Sequence, residues 1–424
     1  MKILIIGSGG REHAIAWRCH TEGHSLAATP GNPGIAAFAP CYPVSTLAPQ
    51  NLIRVARETS PDLIIIGPEG PLVEGCVDAL QAEGFRVFGP SKQAARLEAS
   101  KIYSKAFMLR HGIPTAKAFA CTKVTEAIEK LSEFPGKIVI KADGLAAGKG
   151  VVIARDTAEA NHTISSMMAG ELVGAAGTSI LLEEFLEGEE VSFIVICDGQ
   201  DYICLPPTQD HKAIFDGDRG PNTGGMGTYS DDGILTKEDR STIEETIVKP
   251  TLAGLASEGT MFRGFLFIGL MMTPAGPKVL EYNVRLGDPE TQSILLRVEG
   301  GFGSAIAAAA NGNLNHAVIP LKPGASACVV LAAAGYPGKP RMKDKISGIP
   351  EAETLGAKVF HAGTKEEDGH LLTAGGRVLG VSAAGDSLAN ALNLAYAAVA
   401  KVNFEGMQFR KDIGQKGLKR YTES

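Results

Sequence analysis

Glu281, Asn283 and Arg285 stand two apart in the run EYNVRLGDPE that begins at Glu281. That spacing puts all three on one side of a β-strand, because successive strand side chains alternate faces. Two oxygen donors and a cation then point together. Oxygen ligands suit Mg²⁺, which takes one or two protein groups and completes its shell with phosphates and water. A neighbouring guanidinium stabilises a phosphoryl group in transfer. A cross-strand salt bridge is the plainer account, and the one to favour if this strand stood alone. The run IVIKADGLAAGKGVVI from Ile138 adds the phosphate side of such a site. Two apolar strands flank a loop of small residues, Gly144 and Gly148 among them, whose amides can close over phosphate oxygens while Lys141 and Lys149 supply charge. It is not a Walker A loop, since Gly150 follows Lys149 where Ser or Thr is required, and a strand follows instead of a helix. Its bland alternative is a hairpin with solvated lysines.

Other stretches carry weaker signals. Gly7-Ser8-Gly9-Gly10-Arg11-Glu12-His13 follows a strand and opens a helix, a place where free amides favour an anion. The dinucleotide fingerprint needs Gly where Glu12 stands, and no acidic residue closes the second strand, so a nicotinamide cofactor is disfavoured. Arg11 makes a phosphate of another ligand the better expectation. Residues 181–190, LLEEFLEGEE, resemble a hinge whose backbone reads an adenine edge while a carboxylate grips ribose; Glu187 and Glu189 read as surface residues. Polar or glycine-rich loops at 209–212 and 220–227 are of the kind that lines sites. His20 and His24 lack a third ligand and read as surface histidines, whereas His361 and residues 375–377 are as compatible with a structural turn as with a substrate contact.

Elements must position these groups. Strand, glycine turn and helix open the chain, and the alternation continues with helices at 51–59 and 72–83 and strands at 62–66 and 85–88. This predicts a parallel, doubly wound sheet over about the first hundred residues. A helix over 98–110 carries Lys101 and Lys105 on one face and stops before Pro114. Residues 115–195 read as a compact α+β lobe, 264–272 and 278–284 as a hairpin, and 291–310 as an Ala-rich helical tail. Beyond an Asn- and Pro-rich boundary at 311–323, strands at 327–331, 358–360 and 377–381 and a helix at 388–402 make a smaller domain. The expected division is 1–103, an α/β domain; 104–318, a central domain with a lid lobe at about 115–195; and 319–424, an α+β domain.

Length and composition exclude several classes. At 424 residues the chain is too long for one small module, and 44% hydrophobic with 21% charged residues fits globular folding better than disorder. A net charge of −6 predicts no affinity for nucleic acid or anionic membranes, so an anionic ligand must find local cations. Seven cysteines with no C-x-x-C pair fit reduced thiols. With no apolar run long enough to span a bilayer and no leader at Met1, the expected location is the cytoplasm.

Taken together, GSGGREHA, GPEGPLV, IVIKADGLAAGKGVVIA, EEFLEGEEVSF, QDHK, GPNTGGMG, EYNVRLGDPETQ, AAAGYPG and FHAGT resemble the glycinamide ribonucleotide synthetase family of the ATP-grasp superfamily, from one end of the chain to the other. The resemblance implies a Rossmann-like N-terminal domain, an ATP-grasp domain with a mobile lid, and a small α+β C-terminal domain. It implies an ATP-dependent ligase that phosphorylates the glycine carboxylate and lets the amine of 5-phosphoribosylamine displace phosphate, in purine biosynthesis. By similarity Lys105 and Lys141 hold phosphates, with Gly144, Gly148 and Lys149 in the closing loop and Glu183 beside them; Glu184 and Leu186 meet adenine, and Glu190 binds ribose. Glu281 and Asn283 carry Mg²⁺ or Mn²⁺, and Arg285 steadies the phosphoryl group. Asp288, Asp210, Lys212 and the loop with Pro221, Asn222, Thr223 and Gly224 shape the glycine and amine pockets, while Gly9, Gly10 and Glu69 hold phosphoribosylamine. The partners are then these small molecules, and a monomer is compatible with them. One departure stands out: residues 264–272 lack the further acidic ligand that many ATP-grasp enzymes have before the metal strand. Rivals are another ATP-grasp carboxylate–amine ligase, a biotin-dependent carboxylase subunit, or a nucleotide-binding module without activity.

Overall fold

The computed structural model describes residues 1–144, 150–172 and 177–421. Strands Ser25–Pro30, Lys2–Gly7, Leu63–Ile66 and Val87–Phe88 lie side by side in that order, all parallel. Parallel sheets are covered on both faces and therefore read as unbroken apolar runs. Ile3, Leu4, Ile5 and Ile6 are accordingly all fully buried. Leu4 and Ile6 enter one hydrophobic core and Ile3 and Ile5 another, as strand alternation requires. The strand Ser25–Pro30, SLAATP, is too small and polar to announce itself in the sequence.

Three helices differ from expectation, each for an identifiable reason. The helix expected over 98–110 is two, Arg96–Ala99 and Lys101–Arg110. Ser100 turns extended between them and its hydroxyl accepts from the Tyr103 amide, while Asp143 accepts from the Ile102 amide at 3.1 Å; this satisfies donors that a helix start leaves open. The helix expected over 72–83 breaks at Gly75, φ +87°, and the tail over 291–310 breaks before Phe302 at Gly301, φ +76°. Left-handed conformations of this kind are cheap only for glycine.

The lobe over 115–195 contains a separate antiparallel sheet, Ala118–Cys121, Ile180–Glu184, Ile138–Ala142 and Val151–Ala154 in that order, with its own small core around Ile140, Ile164 and Leu182. Apart from two two-stranded ribbons, Ala213–Phe215 with Arg219–Asn222 and Thr364–Glu367 with His370–Thr373, the remaining strands form one long sheet. Its path runs Gly276–Asn283, Arg263–Thr273, Glu189–Asp198, Thr208–Asp210, Gly227–Asp231, Ala325–Ala332, Arg377–Gly385, Lys358–His361. The strands of the C-terminal unit thus continue the central sheet, through five residue pairs between Gly227–Asp231 and Ala325–Ala332. In the expected hairpin, Gly269 lies opposite Glu281. All seven cysteines are free, and no described helix is long and apolar enough to cross a membrane.

Candidate active site

Glu183 projects from the strand Ile180–Glu184 into the space between two lysines. Lys141 Nζ is 2.7 Å from one carboxylate oxygen and Lys105 Nζ 3.0 Å from the other. All three side chains are at most 7% exposed. Further acceptors hold each ammonium: Leu280 O for Lys141, Thr115 Oγ1 and Ala116 O for Lys105. A buried charge is tolerable only when paired and hydrogen-bonded. Burial still pulls Lys105 below the usual lysine value, with Glu183 offsetting part of that. The site therefore keeps two cations on one carboxylate, an excess positive charge suited to a polyphosphate.

Glu281, Asn283 and Arg285 alternate with buried Tyr282, Val284 and Leu286, so the two-residue period places them on one half-buried face. Burial raises the Glu281 carboxyl, but Lys212, Lys141, Lys101 and Arg285 outweigh it and hold the group below the usual range, ionised at neutral pH. A Cβ at Gly269 would lie 3.2 Å from Glu281 Cγ, so the missing side chain on the partner strand gives this carboxylate its room. Arg285 is aimed by Glu98 at 2.9 Å, Glu69 at 3.3 Å and Asn283 Oδ1 at 3.3 Å. Among the described residues no three His, Cys, Asp or Glu side chains converge as a metal cage. Two oxygen donors, one of them held ionised, fit a divalent cation that shares its shell with phosphates.

A cleft lined by Glu190, Asp210, Lys212, Leu280 and Glu281 links this face to the loops on the other side. Lys212 pairs with Glu190 at 2.7 Å, and Glu190 and then Glu281 push it above the usual lysine value. Asp210 is raised well above the carboxylate range by burial and then by Glu290, which burial also raises; Ser192 donates to Glu290 at 3.1 Å. Asp288 behaves oppositely, because Arg377 and Arg11 outweigh its burial and keep it low. A Cβ at Gly9 would lie 3.4 Å from Asp288 Oδ2, so the opening glycine turn meets this segment. Glu12 fills that turn: its carboxylate accepts from the Gly9 amide and from Arg11, and its side chain lies against Gly7 and Gly67. Arg11 reaches on to Leu286 O at 3.0 Å, so it braces two domains and is not free for a phosphate.

The structure brings together Lys105, Lys141 and Glu183 in one place, Glu281, Asn283, Arg285 and Glu69 beside it, and Asp210, Asp288, Gly9 and Gly10 beyond. Glu184 accepts from the Lys117 amide and pairs with Lys278, its own amide donates to Lys117 O at 3.0 Å, and Leu186 packs with Ala116 and Met271. Gly144 O accepts from Lys101 at 2.9 Å. Thr223 is tied to Lys212 O, whereas Pro221 and Asn222 occupy an exposed strand. Gly148 and Lys149 lie outside the described residues. Sequence reasoning gave no site role to Lys101, Glu98, Glu290 or Tyr336, and left Arg377 open between a substrate contact and a structural turn. Lys101 had a signal in its place four residues before Lys105; Glu98, Glu290 and Tyr336 act through contacts over 90 or more residues.

Three family profiles match the chain: the phosphoribosylglycinamide synthetase N domain over residues 1–98, its ATP-grasp (A) domain over 99–291 and its C domain over 326–416. A phosphoribosylamine–glycine ligase of Vibrio parahaemolyticus is 44% identical over 428 residues, covering 100% of each chain. The crystal structure of a phosphoribosylamine–glycine ligase from Thermotoga maritima superposes with a TM-score of 0.86 at 38% identity, covering 97% of this chain and 100% of that one. A biotin carboxylase domain from Hydrogenobacter thermophilus, solved with MgADP and bicarbonate, has a TM-score of 0.75 at 18% identity over 96% of this chain and 91% of that one, a likeness of fold alone.

Proposed function

We propose a working mechanism from one premise: this chain belongs to the phosphoribosylglycinamide synthetase family of ATP-grasp enzymes, and it ligates glycine to phosphoribosylamine in purine biosynthesis at the expense of ATP. A free carboxylate is a poor electrophile. In our reading the glycine carboxylate attacks the γ-phosphorus of ATP and ADP leaves. The amine of phosphoribosylamine then attacks the carbonyl carbon of the acyl phosphate. The C–N bond forms, the C–O bond to phosphate breaks, the amine gives up a proton, and phosphate departs with one glycine oxygen. The observation that carries this reading is the shared location of the paired lysines and the face bearing Glu281, Asn283 and Arg285.

In this reading the family resemblance gives each residue its role. Lys105 and Lys141 hold phosphates, with Glu183 balancing them until the nucleotide arrives. The backbone at Glu184 and Leu186 takes adenine, and Glu190, next to Lys212, takes ribose. Glu281 and Asn283 would hold Mg²⁺ or Mn²⁺, which when bound supplies charge neutralisation at the phosphates. Arg285, aimed by three acceptors, steadies the phosphoryl group in transfer. Asp210, Lys212, Asp288 and the 221–225 loop shape the glycine and amine pockets, and Gly9, Gly10 and Glu69 hold the sugar phosphate. We place the unit boundaries near residues 103 and 318, and the reaction in the cytoplasm, where seven free thiols stay reduced.

Glycine labelled with ¹⁸O in its carboxylate tests the central step. One label should appear in the released phosphate; unlabelled phosphate would end the acyl phosphate reading. Glu281→Ala should abolish metal-dependent turnover and leave the thermal midpoint within a few degrees of the parent. Near-normal turnover would remove Glu281 from the metal site, and bicarbonate-dependent ADP release would favour a carboxylase instead.

A further inference from the structure

Both backbone polar groups of Gly224 are held by side chains of the C-terminal unit. The Gly224 amide donates to Tyr336 Oη at 3.1 Å, and Arg377 Nη1 donates to Gly224 O at 2.5 Å. The same Nη1 donates to Asp288 O at 2.5 Å, and Nη2 lies 3.5 Å from the Asp288 carboxylate. One guanidinium therefore ties the glycine-rich loop to the Asp288 turn. Between those two segments lies the Asp210 carboxylate. A Cβ on Gly225, whose φ is +109°, would lie 2.6 Å from Pro289 Cδ and 2.8 Å from Asp210 Oδ1, so the loop is pressed against both. Arg377 is also a cation acting on Asp210 and Asp288.

The clasp is itself built. Ala333 donates to Gly376 O at 2.8 Å and Gly363 to Arg377 O at 2.9 Å, so the stretches around 332–338, 360–364 and 375–377 converge on these two side chains. Tyr336 packs against Ile214, Met226 and Ala332, and its ring occupies the space beside Gly376 that a Cβ would fill. A planar guanidinium spreads its donors over three nitrogens in a fixed fork, so it holds two carbonyls and a carboxylate in a geometry that a single ammonium nitrogen does not reproduce.

We propose that Tyr336 and Arg377 are positioning residues for the acceptor half of the reaction: from the C-terminal unit they fix the 223–225 turn and the Asp288 carbonyl, and through them the pocket for glycine and the amine. This rests on the reading above that Asp210, Asp288 and the loop line that pocket. The nucleotide side, at Lys105, Lys141 and Glu183, makes no use of the clasp.

The test uses the full-length enzyme and the variants Tyr336→Phe, Arg377→Ala and Arg377→Lys. Apparent KM is measured for glycine, phosphoribosylamine and ATP, with ADP affinity by calorimetry. Removing one hydroxyl in Tyr336→Phe should raise KM for at least one acceptor by about 3- to 10-fold, the weight of one hydrogen bond. Arg377→Ala should cost more than about tenfold in acceptor kcat/KM, and Arg377→Lys should recover only part of it. ATP KM and ADP affinity should stay within about twofold of the parent. Equal losses for nucleotide and acceptors, or unchanged acceptor constants in Tyr336→Phe, would overturn the inference. Because Tyr336→Phe deletes a single oxygen, it carries the test even if an Arg377 variant fails to fold. Parental glycine and phosphoribosylamine constants in both Asp210→Asn and Asp288→Asn would instead bring down the reading of the pocket on which this one rests.

Discussion

Glu183 shows what a single carboxylate does here: it is the counterion of two buried ammonium groups. Removing one member of such a group leaves charge uncompensated, at a cost of about 3–5 kcal/mol. Glu183→Gln should therefore lower the thermal midpoint markedly, and ATP should raise that midpoint by more in the variant than in the parent, since its phosphates replace the lost charge. Equal ATP-induced shifts in calorimetry would refute this. Three histidines give a second prediction. Burial pushes His13 well below the usual value, and His211 and His361 down to about 4. In the unfolded chain they take protons near pH 6.5, so between about 6.5 and 4 the unfolded state binds more protons. Stability is then complete above that window and falls as pH drops through it. Urea midpoints should decline from pH 7 to 5, and His361→Gln should make the decline shallower; an unchanged slope would exclude His361 as a contributor. The shared face of Glu281 and Arg285 was legible because residue type and spacing state it. Glu98 and Glu290 were not, because a carboxylate's role is set by what burial and the fold bring against it.

At the scale of elements, the strand bearing Glu281 was readable from its period of two, and the hairpin from two apolar runs around a turn. The bulge beside Leu270 and the register that sets Gly269 opposite Glu281 were not, since register depends on the partner strand. The same limit explains the helix broken at Ser100, where Asp143, 41 residues beyond Ile102, takes the open amide. The 220–227 loop gives the sharpest test at this scale. Gly225→Ala combines an unfavourable φ with a Cβ pressed on Pro289 and Asp210, so acceptor-dependent turnover should fall at least tenfold, about 1.4 kcal/mol or more. ADP affinity should persist. A variant with parental kinetics would show that the loop has room to spare.

For the whole molecule, the lobe sheet between Ala118 and Glu184 and the long sheet, which takes in Glu189–Asp198, predict different behaviour. The lobe has a sheet and a small core of its own, so amides in Ala118–Cys121 and Ile138–Ala142 should exchange faster than those in Glu189–Asp198, and ATP should slow them. Uniform protection by mass spectrometry would contradict that. The C-terminal unit has no such independence, because Ala325–Ala332 is a fully buried strand paired on both edges. A chain ending at residue 323 would expose the edge of Gly227–Asp231 and lose Tyr336 and Arg377, and it should not yield a soluble, cooperatively folded protein. The amino-acid sequence alone determined the alternating N-terminal fold, the charged and oxygen-bearing residue types of the candidate site and the family, since these rest on local periodicity and on residue types at short spacing. Only the tertiary structure decided that Glu12 fills its own glycine turn, that Glu183 bridges two lysines, and that the C-terminal unit clasps Gly224. Glu12 acts within its own turn, but the other contacts join residues far apart in the chain, and all are fixed by packing and buried charge balance, which residue type and periodicity do not state.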